Sequence, residues 1–209
     1  MAGGPGPRQG DLFTGSGLTM DSGPDGLPLL EHQLRDWQQR LQAFQASRFQ
    51  AAGRGCQSSG PSPGQIELFG DQPTGSAAGV QHLNPLGLAA RHLQFWRWPE
   101  QDHQGAAIYF VLDRPPHLEG TLLLYVGETG QANRRWKGEH DCKRYLAAYG
   151  EALQQAGLSS ALSIHFWPDA PAAVKVRRAL EQALIRHWLP PFNKETRCRW
   201  ATPFTADPE

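Results

Sequence analysis

Two tyrosines and one arginine have side chains and a spacing that could act together on a phosphate. Tyr125 lies in the apolar run 122–126, and Arg135 follows it by ten residues, after a glycine-containing turn. Tyr109 lies in a second apolar run, sixteen residues before Tyr125. A phenol donates and accepts hydrogen bonds, and a guanidinium presents a planar fork that matches phosphate oxygens. The chain therefore carries candidate residues for phosphate chemistry, provided that the fold brings them together.

Two strands must position the tyrosines. Residues 106–112 and 121–127 form apolar runs that predict strands, and the alternation over 162–166 predicts a third. If the first two strands form an antiparallel hairpin, Tyr109 and Tyr125 point into one site, because side chains alternate between the faces of a sheet. Together with the helical segments, these strands predict an α/β (α+β) domain over residues 106–209. Its core would be a small three-stranded antiparallel sheet flanked by helices.

Two helical segments are expected around the third strand. The helical pattern of residues 133–156 is interrupted near Gly138 and again near Gly150. The next helix is predicted to begin after Asp169, which can cap it, with Pro171 in its first turn. Its apolar side is marked by Val174, Leu180, Leu184 and Trp188. The helix stops at Pro190-Pro191, and Phe192-Asn193-Lys194 follows.

Two triplets resemble those of a known family. Ala107-Ile108-Tyr109 and Tyr125-Val126-Gly127 are similar to the signature triplets of the GIY-YIG nuclease superfamily, with alanine in place of the first glycine. That family also has an arginine on the first helix, a His or Tyr near it, a metal-binding Glu on a later helix, and an Asn. In the same order this chain carries Arg135, His140, Glu181 and Asn193. The resemblance covers residues 106–194.

The spacing of His140 departs from the family pattern. His140 follows Arg135 by five residues, whereas four are usual, and Glu139 stands at the expected place. A one-residue bulge at Gly138 would return the histidine to the site, and without it His140 is a surface residue. Glu128, where some relatives carry a lysine, has no assigned role.

The resemblance implies a metal-dependent endonuclease that hydrolyses phosphodiester bonds in DNA. Glu181 would hold Mg²⁺ or Mn²⁺, since a single carboxylate suits a hard cation that keeps most of its waters. Tyr109 or Tyr125 would take a proton from the attacking water, if nearby positive charges lower its pKa from about 10. Arg135 would bind phosphate, His140 would relay a proton or contact the phosphate, and Asn193 would anchor the helix end or a phosphate. Further substrate contacts are expected from Gly127, Arg134 and Lys137.

Two classes of function stay open at this point. Nothing resembles a sequence-reading module, so the enzyme is expected to be structure-selective and to act in repair or recombination. The alternative is a catalytically silent domain of the same fold that binds nucleic acid or protein. Each residue also has a structural interpretation: the tyrosines as core aromatics, Glu181 as the ion-pair partner of Arg177 four residues earlier, and Asn193 as a turn residue.

Composition places few limits on the partner. The chain has 20 basic and 20 acidic side chains, so its net charge does not steer it toward nucleic acid. Residues 106–209 hold 13 basic and 11 acidic side chains, and the basic ones cluster, which is also typical of solvated helix faces. Three widely separated cysteines provide no zinc or disulfide framework, which predicts a reducing, cytoplasmic setting. No secretory signal and no membrane-spanning run is evident.

The first half of the chain predicts one helix between polar segments. Residues 1–28 and 51–80 are rich in Gly, Pro and Ser, which predicts a disordered arm and a flexible linker. Between them, residues 29–50 predict an amphipathic helix whose apolar stripe would pack on the domain or on a copy of itself. The stripe consists of Leu30, Leu34, Trp37, Leu41 and Phe44. Residues 81–105 are expected to form an extension packed on the domain.

Each polar segment contains one Leu-Phe pentapeptide. The two copies share the pattern Gln, any residue, acidic, Leu, Phe. They resemble the pentapeptide by which bacterial replication and repair proteins dock on the ring-shaped DNA sliding clamp. In such motifs the Gln makes polar contacts, and Leu and Phe fill an apolar pocket. The resemblance implies clamp binding through Gln9, Leu12 and Phe13 and through Gln65, Leu68 and Phe69, and the alternative is docking on the protein's own surface.

Overall fold

A computed structural model describes residues 29–55, 80, 83–93, 104–135 and 141–201 of the 209-residue chain. It contains four strands and five α-helices within those ranges, and a 3₁₀ turn at Pro85–Gly87. The strands are β1 (Ala90–Arg91), β2 (Ala107–Asp113), β3 (Leu122–Thr129) and β4 (Leu162–Trp167). The helices are α1 (Glu31–Gly55), α2 (Ala132–Arg135), α3 (Asp141–Gln155), α4 (Val174–Trp188) and α5 (Arg197–Trp200).

The sheet has four antiparallel strands, not the predicted three. Their order is β1-β4-β2-β3, so the predicted hairpin of β2 and β3 is confirmed, with β4 on the other side of β2. The additional strand, β1, belongs to the extension 81–105 and pairs Ala90 with His165 and Arg91 with Ile164. A strand of two residues is too short to produce a periodic signal, which explains why the sequence did not reveal it.

Helices cover both faces of this sheet. Side chains of α1 and α3 pack on the face that carries Tyr109, Val111 and Ile164. Helix α4 packs on the opposite face, which carries Ile108, Phe110 and Leu112. Every residue of β2 is buried, because this central strand has neighbours on both edges and helices on both faces. Burial on both faces explains its continuous apolar run.

Helix α1 extends five residues beyond its predicted end and packs on the domain rather than projecting from it. Leu34, Trp37 and Leu41 are buried in the core, whereas Leu30 is 56 % exposed. Two glutamines of α1, Gln38 and Gln45, are also fully buried. The buried side of the helix is therefore broader than the five-residue stripe, and it includes polar groups that need partners.

Two helix predictions are corrected by the structure. Helix α3 continues through Gly150 without interruption, because it buries Tyr149 and Leu153 on the sheet and this packing outweighs the low helix propensity of glycine. Helix α4 begins at Val174, and its cap position is Ala173, which makes no side-chain capping bond. Asp169 therefore does not cap this helix.

Several predictions concern residues outside the described ranges. These are the arm predicted over 1–28, residues 56–79 of the linker predicted over 51–80, the expected bulge at Gly138, and both Leu-Phe pentapeptides; residues 51–55 belong to α1 and not to a linker. Within the described ranges, no helix combines the length and the apolar character needed to cross a bilayer.

Candidate active site at the edge of the sheet

The two tyrosines lie side by side on one face of the β2–β3 hairpin. Tyr109 is opposite Gly127 and Tyr125 is opposite Val111, so the tyrosines are diagonal neighbours across the strands. Their rings stack with centroids 5.9 Å apart and an interplanar angle of 27°. Tyr109 is fully buried and Tyr125 is half-buried, which leaves Tyr125 as the more accessible phenol.

Gly127 makes this arrangement possible. The ring of Tyr109 lies over the Gly127 backbone, and a Cβ atom at position 127 would be only 2.8 Å from Tyr109 Cε1. Any side chain there would collide with the ring. The requirement for glycine in the second triplet is therefore steric, and it comes from the tyrosine of the first triplet.

The pKa of Tyr125 is raised, which is opposite to the shift that a general base requires. Burial is the main cause, and the neighbouring Tyr109, Cys142 and Glu181 add to it, together with a hydrogen bond to Tyr109. A negative charge on Glu181 disfavours a second negative charge on the phenol oxygen. At neutral pH the phenol of Tyr125 is therefore protonated in the protein without a cation.

Glu181 reaches the same edge of the sheet from helix α4. Its Oε1 atom accepts a hydrogen bond of 2.9 Å from the backbone N–H of Glu128, directly after the second triplet. The side chain is half-buried. Helix α4 thus brings a carboxylate next to Tyr125, although 56 residues separate the two in sequence.

Asn193 binds the backbone of the second triplet. Its Oδ1 accepts from Val126 N at 3.0 Å and its Nδ2 donates to Val126 O at 2.8 Å. The preceding residue, Phe192, donates its N–H to Leu124 O at 3.0 Å and buries its ring in the core. Asn193 is itself buried, and its carboxamide binds the backbone of β3, whereas the sequence led to the expectation that it anchors the helix end or a phosphate.

Side chains complete the free edge of β3. Besides Asn193 and Glu181, the carboxamide of Gln45 accepts from Leu123 N at 2.8 Å and donates to Leu123 O at 3.0 Å. Two carboxamides thus replace the missing neighbour strand at two positions. An exposed edge strand invites pairing with other chains, and these contacts cover the edge beside the site.

The cationic part of the predicted site is described only in part. Arg134, in helix α2, which follows β3 in the chain after a two-residue turn, is exposed. Arg135 is the last residue of α2, and its side chain lies outside the described part of the chain. Lys137 and His140 lie wholly outside it. The spacing question for His140 therefore stays a prediction.

Sequence reasoning missed a buried ion pair behind the site. Arg177 donates from Nε to Glu128 Oε2 at 2.6 Å, and Arg178 approaches Glu128 Oε1 at 3.4 Å. Arg177 had been weighed only as a helical partner of Glu181. Both arginines point to a residue 49 or 50 positions away, so helical spacing could not reveal the pair.

The donors at this edge fit a hydrated divalent cation. Within the described residues, no three His, Cys, Asp or Glu side chains come together as a metal-binding group. Glu181 offers one carboxylate, which matches a Mg²⁺ or Mn²⁺ ion that keeps most of its waters. It does not match a closed site with four protein ligands.

Comparison of the chain with known protein families, with curated proteins and with solved structures gives no match.

Proposed function

We propose that this protein is a metal-dependent DNA endonuclease, structure-selective and acting in repair or recombination. One observation carries the proposal: a half-buried carboxylate, Glu181, and a stacked pair of tyrosines meet at one edge of the sheet, beside helix α2. Residues from three separate parts of the chain meet there. A fold alone does not require this meeting, and the order of the residues is the one that the GIY-YIG resemblance predicts.

The proposed roles follow from the environment of each group. A bound Mg²⁺ or Mn²⁺ would supply positive charge to stabilise the phosphate and the departing 3′ oxygen. Glu181 would hold this cation. Tyr125, a neutral phenol in the protein alone, would orient the attacking water by a hydrogen bond, and its deprotonation requires additional positive charge to offset Glu181. Arg134 and Arg135 would bind phosphate, and Asn193 would position the strand that carries Tyr125.

One observation favours the catalytically silent alternative. Glu181 already has a structural task, because its Oε1 satisfies the backbone N–H of Glu128 at the end of β3. A glutamate retained only for this contact would leave a binding module without hydrolytic activity. Glutamine at position 181 separates the two cases, since its amide oxygen can keep the contact while the charge is lost.

The test uses labelled flap, junction, bubble and duplex DNAs with Mg²⁺ or Mn²⁺. We expect the wild type to cleave at least one branched substrate, and Glu181→Gln to lose on the order of a hundredfold or more in rate. Glu195→Gln is the matched control, because Glu195 is an exposed carboxylate that accepts only from Gln182 at 2.7 Å in the described contacts. Cleavage that persists in Glu181→Gln would contradict the assignment. Binding without cleavage on every substrate would favour the silent module.

We also propose that the two pentapeptides recruit the protein to a sliding clamp. A chain without net positive charge gains little counterion-release energy from a duplex, so a second tether is useful. The copies lie on either side of α1, whose 25 residues span roughly 37 Å at 1.5 Å per residue. Two weak sites on one chain raise each other's local concentration if both pockets are within reach.

Calorimetry with the cognate clamp tests this recruitment. We expect the peptide around Gln65–Phe69 to bind more tightly than the peptide around Gln9–Phe13, because Ile66 suits the usually aliphatic position better than Gly10. Replacing Leu68 and Phe69 by Ala should abolish most binding and leave cleavage of short oligonucleotides unchanged. No heat from either peptide or from the whole protein would indicate that the pentapeptides dock on the protein itself.

A further inference from the structure

Arg177 is a buried arginine whose Nε and Nη1 atoms have partners within the protein. Its side chain is 3 % exposed. Its Nε donates to Glu128 Oε2 at 2.6 Å, and its Nη1 donates to Pro171 O at 3.0 Å and to Ala172 O at 2.8 Å. Burying a guanidinium is costly unless charge and hydrogen bonds compensate, and here both do. Such a residue joins the parts of the chain that it contacts.

The contacts of Arg177 join three segments near the proposed site. Glu128 belongs to the end of β3, and the two carbonyls belong to the loop that enters α4. Ala173, the N-cap residue of α4, makes no side-chain hydrogen bond that would cap the helix. The guanidinium of Arg177 instead provides side-chain hydrogen bonds between α4 and this loop. The turn that leads to α2 also packs here, since a Cβ on Gly130 would lie 3.6 Å from Arg177 Nη2.

Two of the contacts between α4 and Glu128 come from residues one turn apart. Its carboxylate pairs with Arg177, and its backbone N–H donates to Glu181. Residues four apart on a helix lie on the same side, so both contacts depend on the same placement of α4 against β3. A slip of α4 by one residue would move it by 1.5 Å and break both.

We infer that Arg177 is a positioning residue, whose guanidinium holds helix α4 against the end of β3 and thereby seats the Glu181 carboxylate beside Tyr125. The inference deepens the proposed function and rests on it only for what the seated carboxylate does. Arg177 itself touches no reacting group. Its effect on chemistry passes through Glu128 and Glu181.

Arg178 provides a matched control on the same carboxylate. It approaches the other oxygen of Glu128 at 3.4 Å, but its side chain is 68 % exposed and its described hydrogen bond is to Glu128 alone. We therefore expect Arg178 to contribute little to the placement of α4, because an exposed ion pair at this distance is weak. The two neighbouring arginines differ in burial and in the carbonyls that they reach.

Hydrogen exchange of single amides, followed by NMR on the full chain, tests the inference without any metal. In Arg177→Lys the charge stays, but an ammonium lacks the planar fork that reaches Glu128 and both carbonyls. We expect the protection of the Glu128 amide, bonded to Glu181, to fall about tenfold relative to that of Ile164 in β4, and Arg178→Ala to leave both within about twofold. If Arg177→Lys does not fold, Glu128→Gln takes its place in the experiment. The amide of residue 128 should then show a similar loss of protection, expressed as a protection factor so that the change of side chain is taken into account. Unchanged protection at residue 128, or a uniform loss throughout the sheet, would overturn the inference.

Mn²⁺ binding, measured by water proton relaxation, adds a second result. Loss of a residue that orients a ligand typically weakens metal affinity about 10- to 100-fold. We expect this loss in Arg177→Lys and not in Arg178→Ala. An equal Mn²⁺ dissociation constant in both variants would count against the positioning role. Mn²⁺ binding that Glu181→Gln leaves unaltered would instead contradict the proposed nuclease site, and the exchange result would still decide the role of Arg177.

Discussion

The two ends of the β2–β3 hairpin carry buried polar groups of similar composition and different organisation. Near one end, Tyr109 and Tyr125 stack beside Glu181. At the other end, Asp113 accepts from Tyr149 at 2.8 Å, inside the core. Each end thus combines a tyrosine of raised pKa with a carboxylate. Only the first is a candidate active site.

The Asp113 network is a chain of hydrogen bonds that runs from the partly exposed His117 into the core. His117 contacts Gln38 Oε1 at 2.8 Å, Gln38 donates to the Tyr149 oxygen at 2.5 Å, and Tyr149 donates to Asp113. The other carboxylate oxygen of Asp113 accepts from Ala161 N at 2.7 Å. The chain of bonds ties α1, α3 and the end of β2 together. Gln38, Tyr149 and Asp113 are buried, so these three groups hold the fold together.

The difference shows that a perturbed pKa does not identify a site by itself. Tyr149 is fully buried and donates a hydrogen bond to an internal carboxylate. Tyr125 and Glu181 are half-buried at an edge of the sheet. Accessibility separates these candidate functional groups from the fully buried Tyr149, whose pKa is shifted in the same direction.

Removing one hydroxyl at each end gives the largest contrast. We expect Tyr125→Phe to lower the DNA cleavage rate by roughly a hundredfold or more, because the water-orienting group is lost. Tyr149→Phe should leave the rate unchanged and lower the free energy of unfolding by roughly 1–3 kcal/mol, since Asp113 and Gln38 each lose a buried partner. Both expectations are tested by measuring the DNA cleavage rate and the urea denaturation of each variant. A rate loss in Tyr149→Phe alone would reverse the two assignments.

Asn193→Ala tests whether the edge of β3 needs its side-chain cover. The change leaves the N–H and C=O of Val126 without their described partners at 3.0 and 2.8 Å. We expect a loss of roughly 2–3 kcal/mol in unfolding free energy, measured by chemical denaturation, and an increased tendency to self-associate, measured by light scattering. Asn193→Asp is the comparison, because its carboxylate can accept from Val126 N but donates nothing to Val126 O. Wild-type stability in both variants would show that the edge does not depend on this contact.

The Asp113 end should make stability depend on pH. Burial raises the pKa of Asp113 to about 6, against the hydrogen bonds from Tyr149 and the backbone. Because the folded value lies above the ordinary 3.8, this group favours unfolding as pH rises between the two values. We expect its contribution to unfolding free energy to fall by roughly 2 kcal/mol between pH 4.5 and 7. The difference in unfolding free energy between wild type and Asp113→Asn, measured by denaturation across that pH range, isolates the contribution of Asp113. A difference that does not change with pH would contradict the raised pKa of Asp113.

The smallest effect is expected where charges pair in water. Arg35 and Glu31 of α1 form an ion pair at 2.7 Å, but both side chains are exposed. Arg35→Ala should change the unfolding free energy by about 0.5 kcal/mol or less. Thermal denaturation at low and high salt measures it. A loss as large as that in Tyr149→Phe would show that exposure does not separate the two kinds of contact.

Local alternation and spacing determined much of the candidate site. The apolar runs around Tyr109 and Tyr125 predicted the hairpin, and alternation placed both tyrosines on one face, because side-chain direction in a strand depends only on neighbouring residues. The helix after β4 and the asparagine after its Pro-Pro stop were equally visible, although the true start of α4 was not. By contrast, the steric reason for a glycine at position 127, next to the Tyr109 ring, became evident only from the register between the two strands.

Only the tertiary structure decided which polar residues lie inside. Gln38 and Gln45 are on the apolar side of α1, yet their burial depends on Tyr149 and on the Leu123 backbone, more than seventy positions away. Glu128 had no assigned role until helix α4 brought Arg177 and Glu181 against it. The two-residue strand β1 likewise exists only because β4 offers it an edge. A hydrophobic pattern reports local periodicity, whereas a buried polar group is stable only with a partner, and folding selects that partner from distant parts of the chain.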